Sequence, residues 1–90
     1  MTKTIVTVLG YDQRGIIAKV SNFLYEREIN IEDISQTIMQ DYFTMIMLVD
    51  LSESGRKLSD LAEEFENLGK EIGVSVRIQH EDVFDSMHKL

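Results

Sequence analysis

The 90 residues predict an α+β sandwich, a four-stranded antiparallel sheet with two helices on one face and a short C-terminal helix after the last strand. Three observations predict it. Apolar residues recur with the helical period in two long stretches, from Ile16 to Leu24 and from Leu58 to Ile72. Four runs with strand character surround them. The resulting order is strand, helix, strand, strand, helix, strand: two βαβ crossovers joined by a hairpin, and right-handed crossovers bring both helices to the same side.

Each element has its own justification. Lys3 to Leu9, KTIVTVL, is rich in β-branched residues and apolar on both faces, as an interior strand requires, and Gly10 is expected to end it. From Gly15 onward Ile16, Ile17, Val20, Phe23 and Leu24 form the apolar stripe of a helix, with Lys19, Asn22, Glu26 and Arg27 on its polar side. Ile29 to Leu51 holds two strands, INIEDISQTIMQ and YFTMIMLVDL, with a tight turn at Gln40 and Asp41. The second is apolar almost throughout and belongs in the centre, whereas Glu32, Asp33, Gln36 and Gln40 suit the first to an edge. Ser52 or Ser54 is positioned to cap a second helix, whose apolar face is Leu58, Leu61, Ala62, Phe65, Leu68 and Ile72 and whose terminator is Gly73. Val74, Val76 and Ile78 alternate with Ser75, Arg77 and Gln79, giving a strand with one covered and one wet face, so the helices lie on one side only.

The tail EDVFDSMHKL places Glu81 and Asp82 at a helix start and His88 and Lys89 at its end, in agreement with the helix dipole, and gives it Val83, Phe84 and Met87 as an apolar face. The whole is a ferredoxin-like βαββαβ sandwich. It is expected to be one domain over residues 1–90, with a core over 3–80 and the terminal helix over 81–90.

Composition narrows the function. Sixteen acidic against nine basic residues give a formal charge of -7, which repels a phosphate backbone, and the basic residues are dispersed among acids; nucleic acid is not the expected partner. The chain has no cysteine, so disulfides and thiolate metal sites are excluded. No apolar run approaches the roughly 20 residues of a membrane span, and the N-terminal MTKTIVTVLGYDQRG has no signal-peptide pattern, so a cytoplasmic location without a membrane partner is expected. No nucleophile sits beside a base: His80 ends the last strand, His88 lies in the tail, and neither has partners at catalytic spacing. His80, Asp82 and Asp85 are too few for a metal site. Met39, Met45 and Met47 suit core packing, and Tyr42 and Phe43 lack the basic neighbours that RNA stacking wants. The expectation is a protein that is not an enzyme and carries no cofactor or metal.

The glycine-bearing turn VLGYDQRGII remains. It runs from strand to helix, so backbone N–H groups and the helix dipole converge where an anion is stabilised. Two roles suit Asp12: accepting a backbone hydrogen bond at the helix start, or holding a ligand ammonium while the N–H groups around Gln13 to Ile16 hold its carboxylate.

The stretch VLGYDQRGIIAKVSNFLYEREINIEDIS, with EFENLGKEIGVSVRI as a second half, resembles the ACT domain, a regulatory module that senses amino acids in metabolic enzymes. Gly10, Asp12 and Gly15 match the family's turn, Ile16 and Val20 its first helix, and Asn30 with Ile31 the opening of its second strand. The chain is similar in particular to short bacterial proteins made of one such domain and a brief C-terminal helix. The resemblance implies side-by-side homodimers with an amino acid held between the first turn of one subunit and the start of strand two of its neighbour. Carried over, Asp12 and Asn30 are polar contacts, while Gly10, Gln13, Arg14, Gly15, Ile16 and Ile31 supply backbone and walls. In this sequence Gly10 and Asp12 replace a polar side chain and an amide of serine-binding members. The expected function is a non-catalytic, amino-acid-binding homodimer that signals to a protein partner in trans. The alternative is an interaction module without a small ligand, docking through its acidic surface and terminal helix.

Overall fold

The structure, a computed structural model, describes residues 3–11 and 13–82. Its elements are β1 (Lys3–Tyr11), α1 (Ile16–Glu26), β2 (Asn30–Met39), β3 (Tyr42–Asp50), α2 (Leu58–Ile72) and β4 (Ser75–His80). The strands form one antiparallel sheet in the order β2-β3-β1-β4, the ferredoxin-like arrangement with β1 and β3 central. Residues 81 and 82 are helical; the expected apolar face of the terminal helix, Val83, Phe84 and Met87, lies outside the described residues.

The core forms where the period-2 face of the sheet meets the helical stripes. Val6, Val8, Phe43, Met45, Met47, Val49, Val74 and Val76 are buried on one face, against Val20, Phe23 and Leu24 of α1 and Leu61, Phe65, Leu68 and Ile72 of α2. Each such side chain contributes roughly 1.5–3 kcal/mol relative to exposure. The Phe23 and Phe65 rings meet at 4.7 Å and 52°, joining the two helices. The opposite face carries Leu9, Tyr11, Tyr42 and Met39, all exposed, with Tyr11 stacked on Tyr42 at 5.2 Å.

Two local expectations are corrected. β1 does not end at Gly10 but continues through it to Tyr11, because Gly10 and Tyr11 still pair with Phe43 and Tyr42. Neither Ser52 nor Ser54 caps α2, whose N-cap is Lys57: Ser52 bonds Asp50, while Ser54 Oγ donates to the Leu51 carbonyl and accepts from the Arg56 N–H. The hydroxyls are engaged in folding the loop, several residues too early to reach the helix. Within β2 the register on β3 shifts between Ile31 and Asp33 and leaves Glu32 as an extra residue.

Candidate functional site

The β1–α1 turn is shaped by two glycines with different reasons. Gly15 is the N-cap of α1 with φ 87, and a Cβ added there meets nothing within 4 Å, so the requirement is purely one of backbone conformation. Gly10 is a packing requirement. A Cβ there would stand 2.8 Å from Val74 Cγ1, where the end of β1 passes the start of β4.

Between them, the Gln13 side-chain amide donates to the carbonyl of Ile72 and ties the turn to the C-terminal end of α2. That carbonyl belongs to the last turn of a helix, where acceptors lack intrahelical donors. The Gln13 side chain is therefore committed to holding the turn on α2. Arg14 is exposed, Ile16 is in the core, and Asp12 lies outside the described residues.

The first bond of α1 in this region runs from the Lys19 N–H to the Gly15 carbonyl. The N–H groups of Ile17 and Ala18 precede it and have no i−4 partner among the described residues, and no acidic residue occupies the first turn to offset the dipole. They face a shallow cleft of about 170 Å³ lined by Gln13, Gly15, Ile17, Gln36, Ile38 and Phe43. Sequence reading had not placed Ile17, Gln36, Ile38 or Phe43 there. The cause is the irregularity at Glu32: counting by twos from Ile31 puts Asp33, Ser35 and Thr37 on the helix side, whereas the shifted register puts Ile34, Gln36 and Ile38 opposite the buried Met47, Met45 and Phe43. The spacing of Ile31, Ile34 and Ile38, which fits no regular strand, was the available signal.

Asn30 and Ile31 lie elsewhere. Asn30 pairs with Asp50 and Ile31 with Val49, while Tyr11 pairs with Tyr42 at the other end of β3. At about 3.3 Å per residue the two halves of the expected site are on the order of 25 Å apart within one chain. Ile31 packs partly into the core, and Asn30, one residue earlier, takes the opposite face with Asp50. The Asp50 carboxyl is held below its ordinary value of 3.8 by hydrogen bonds from the Ser52 hydroxyl and then its N–H.

Two larger grooves lie away from the turn. One of about 420 Å³ runs between α1 and α2 past Lys19, Asn22, Arg27, Glu64 and Glu71. Its central charges are already committed: Glu64 receives Arg27 Nε at 3.0 Å and Arg56 Nη1 at 2.5 Å, and the Arg27 guanidinium lies 3.5 Å above the Phe23 ring. Burial alone would raise the Glu64 carboxyl, but the hydrogen bonds and charges of Arg27 and Arg56 outweigh it and hold it below its ordinary value of 4.5. The other, about 540 Å³, follows α2 and β4. At the end of β4, His80 Nδ1 accepts the Asp82 N–H at 3.1 Å, and no group of three or more potential metal ligands occurs among the described residues.

A sheet of this order, two helices on one face and a glycine-shaped β1–α1 turn define a class, and comparison with known proteins agrees with it. A family profile described as ACT domain matches residues 2–79. UPF0237 protein MK1213 of Methanopyrus kandleri is 51% identical over 90 residues, covering 100% of both chains. An ACT domain protein from Streptococcus pneumoniae superposes with a TM-score of 0.82 at 40% identity, over 93% of this chain and 94% of that one. The ligand-free regulatory subunit of aspartate kinase from Thermus thermophilus superposes at 0.67 and 26% identity, over 87% of this chain and 50% of that one. The chain belongs to the ACT domain family, a family of regulatory small-ligand-binding modules. No helix among the described residues is long and apolar enough to cross a membrane.

Proposed function

We propose that this chain is a non-catalytic regulatory module of the cytoplasm that pairs along β2 with a second copy, binds an amino acid at the junction, and passes its occupancy to a protein partner in trans. One observation carries the reading: the cleft at the α1 N-terminus opens onto the free edge of β2, while Asn30 and Ile31 lie at the far end of that same strand. Among the described residues β2 pairs only with β3; it is ten residues long and leaves Ile34, Ile38 and Met39 exposed. An edge of that length with unpaired N–H and C=O groups is a template for strand addition.

Two-fold pairing of β2 with its own copy is antiparallel. It sets the Asn30–Ile31 end of one strand against the Ile38–Met39 end of the other, beside the cleft. A cleft of about 170 Å³ is then half a site, and the second copy closes it. The zwitterion's carboxylate meets the N–H groups at the start of α1, those of Ile16, Ile17 and Ala18, with Gly10, Gln13, Arg14 and Gly15 framing the turn. Asp12 of one copy and Asn30 of the other supply its polar side-chain contacts. The likeness to an aspartate kinase regulatory subunit supports the regulatory reading. Occupancy reaches a partner only if that partner prefers one ligation state.

The test is thermal unfolding against each common amino acid, with light scattering on the same samples. A dimer with one selective upward shift, lost in Asp12→Ala, is expected. A ligand at a hundred times its dissociation constant adds about 2.7 kcal/mol, on the order of ten degrees for a domain this size. A monomer that responds to no amino acid overturns the proposal.

A further inference from the structure

The backbone of β2 fixes which of its residues can bond a neighbour on the free side. From Asp33 to Met39 the strand pairs regularly with β3, Asp33 opposite Leu48 and Met39 opposite Tyr42, and the two residues Gln40 and Asp41 turn the hairpin. Gln40 takes φ 56, the positive value that such a turn requires at its first residue. Residues flanking a two-residue turn exchange both of their backbone bonds, so Met39 directs its N–H and C=O toward β3, and so do Thr37, Ser35 and Asp33. Ile34, Gln36 and Ile38 direct theirs outward. One bond agrees with this parity: the Ile34 N–H is received at 2.8 Å by the Asp33 carboxylate of its own strand.

A second copy meets this edge under a strict constraint. When two antiparallel strands are related by a two-fold axis and both helix layers stay on one side, the axis is perpendicular to the sheet and one residue lies opposite itself. The regular ladder also stops at Glu32, where the extra residue breaks the spacing. Within 33–39, an axis at Gln36 engages all three outward residues, with Ile34 opposite Ile38 of the other copy and the reverse. An axis at Ser35 or Thr37 engages two of them, and an axis at Ile34 or Ile38 engages one. An axis at Asp33 sets two carboxylates directly opposite each other, which is destabilising.

The side chains suit the same register. On the helix side it sets Ile34, 44% exposed, against Ile38, 56% exposed, twice over, and the neutral Gln36 against itself. On the other side Ser35 meets Thr37 and Asp33 meets Met39, so no like charges are opposed. The geometry points to an interface between two copies of this chain whose two-fold axis passes through Gln36. This rests on the pairing of β2 proposed above and on no ligand. The Ile38 carbonyl of the other copy replaces Asp33 as the acceptor of the Ile34 N–H. Glu32 marks the end of the shared ladder, which leaves Asn30 and Ile31 beyond it, at the hairpin end of the other copy's β2.

The chain has no cysteine, so single cysteines read the register directly by cross-linking under a mild oxidant. Opposite residues of a bonded pair have Cα atoms about 5.5 Å apart, within the reach of a disulfide. Gln36→Cys is expected to link to its own copy. Ile34→Cys and Ile38→Cys, each about 14 Å from its own copy, are expected not to link alone but to link when mixed with each other. Sedimentation and circular dichroism of the parent and the reduced variants establish dimer and fold. Self-linking that is strongest at Ile34→Cys, Ser35→Cys or Thr37→Cys overturns the axis and leaves the pairing of β2 standing. A parent that sediments as a monomer, or as a dimer whose variants link at none of these positions, overturns the axis and the pairing together.

Discussion

Gly10 and Gly15 are five residues apart and look alike in sequence, yet they fail differently when changed. Gly15→Ala forces an L side chain to φ 87 in open space, so the cost is conformational, about 1–2 kcal/mol by chemical denaturation, and no neighbouring change relieves it. Gly10→Ala brings a methyl within 2.8 Å of Val74 Cγ1, an overpacking cost of about 1–3 kcal/mol that Val74→Ala partly rescues. A double-mutant cycle distinguishes them: strong coupling of position 74 to Gly10 and none to Gly15 is the expected result. Thr4 is a third special residue. Its Oγ1 is buried without a hydrogen-bond partner among the described residues. Thr4→Val removes that unsatisfied group at nearly constant volume, and we expect stability to rise by about 1 kcal/mol, or roughly 4–8 °C in Tm. The sequence KTIVTVL announces a buried strand but not which hydroxyl lacks a partner, because that depends on what residues distant in sequence present to it.

At the scale of elements, the Arg27–Glu64–Arg56 cluster ties the end of α1 and the 51–57 loop to α2. The Glu64 carboxyl is depressed below 4.5 in the folded chain, so its stabilising contribution is complete above that value and is lost as pH falls through the folded pKa. Glu64→Gln should therefore be less stable than the parent at neutral pH and converge with it in acid, as read from denaturation midpoints between pH 3 and 7 on the order of the carboxylate range. Parallel curves would contradict the assignment. The helices and β4 were legible because their apolar periods are uninterrupted. β2 was legible as an edge from Glu32, Asp33 and Gln36, but not in its facing. One extra residue at Glu32 exchanges the two faces of everything after it, and only the odd spacing of Ile31, Ile34 and Ile38 marks it in the sequence. Gln36 was hidden from the site for that reason, and Ser52 and Ser54 were misread because loop folding claimed their hydroxyls first.

For the whole molecule, a single chain cannot join the turn at Gly10–Ile16 to Asn30 and Ile31, since the sheet separates them by nearly the length of β3. The fold was legible because the order of elements and the handedness of crossovers leave little choice. The site was legible only as a turn. Its other half depends on a two-fold relation that one chain does not contain. A charge placed on the β2 edge, Ile34→Lys, is expected to leave the fold intact and convert the dimer to monomer in sedimentation, with ligand binding lost alongside. The most direct measurement mixes two defective chains, Asp12→Ala and Asn30→Ala, each folded and dimeric. Calorimetric titration uses the amino acid that stabilises the parent most. Each variant alone should bind none. After exchange of subunits, half the dimers are mixed and each mixed dimer holds one intact site, so about a quarter of the sites should return. Recovery of binding places the ligand between the turn of one copy and the second strand of the other. No recovery from mixed dimers, or undiminished binding by either variant alone, contradicts a shared site.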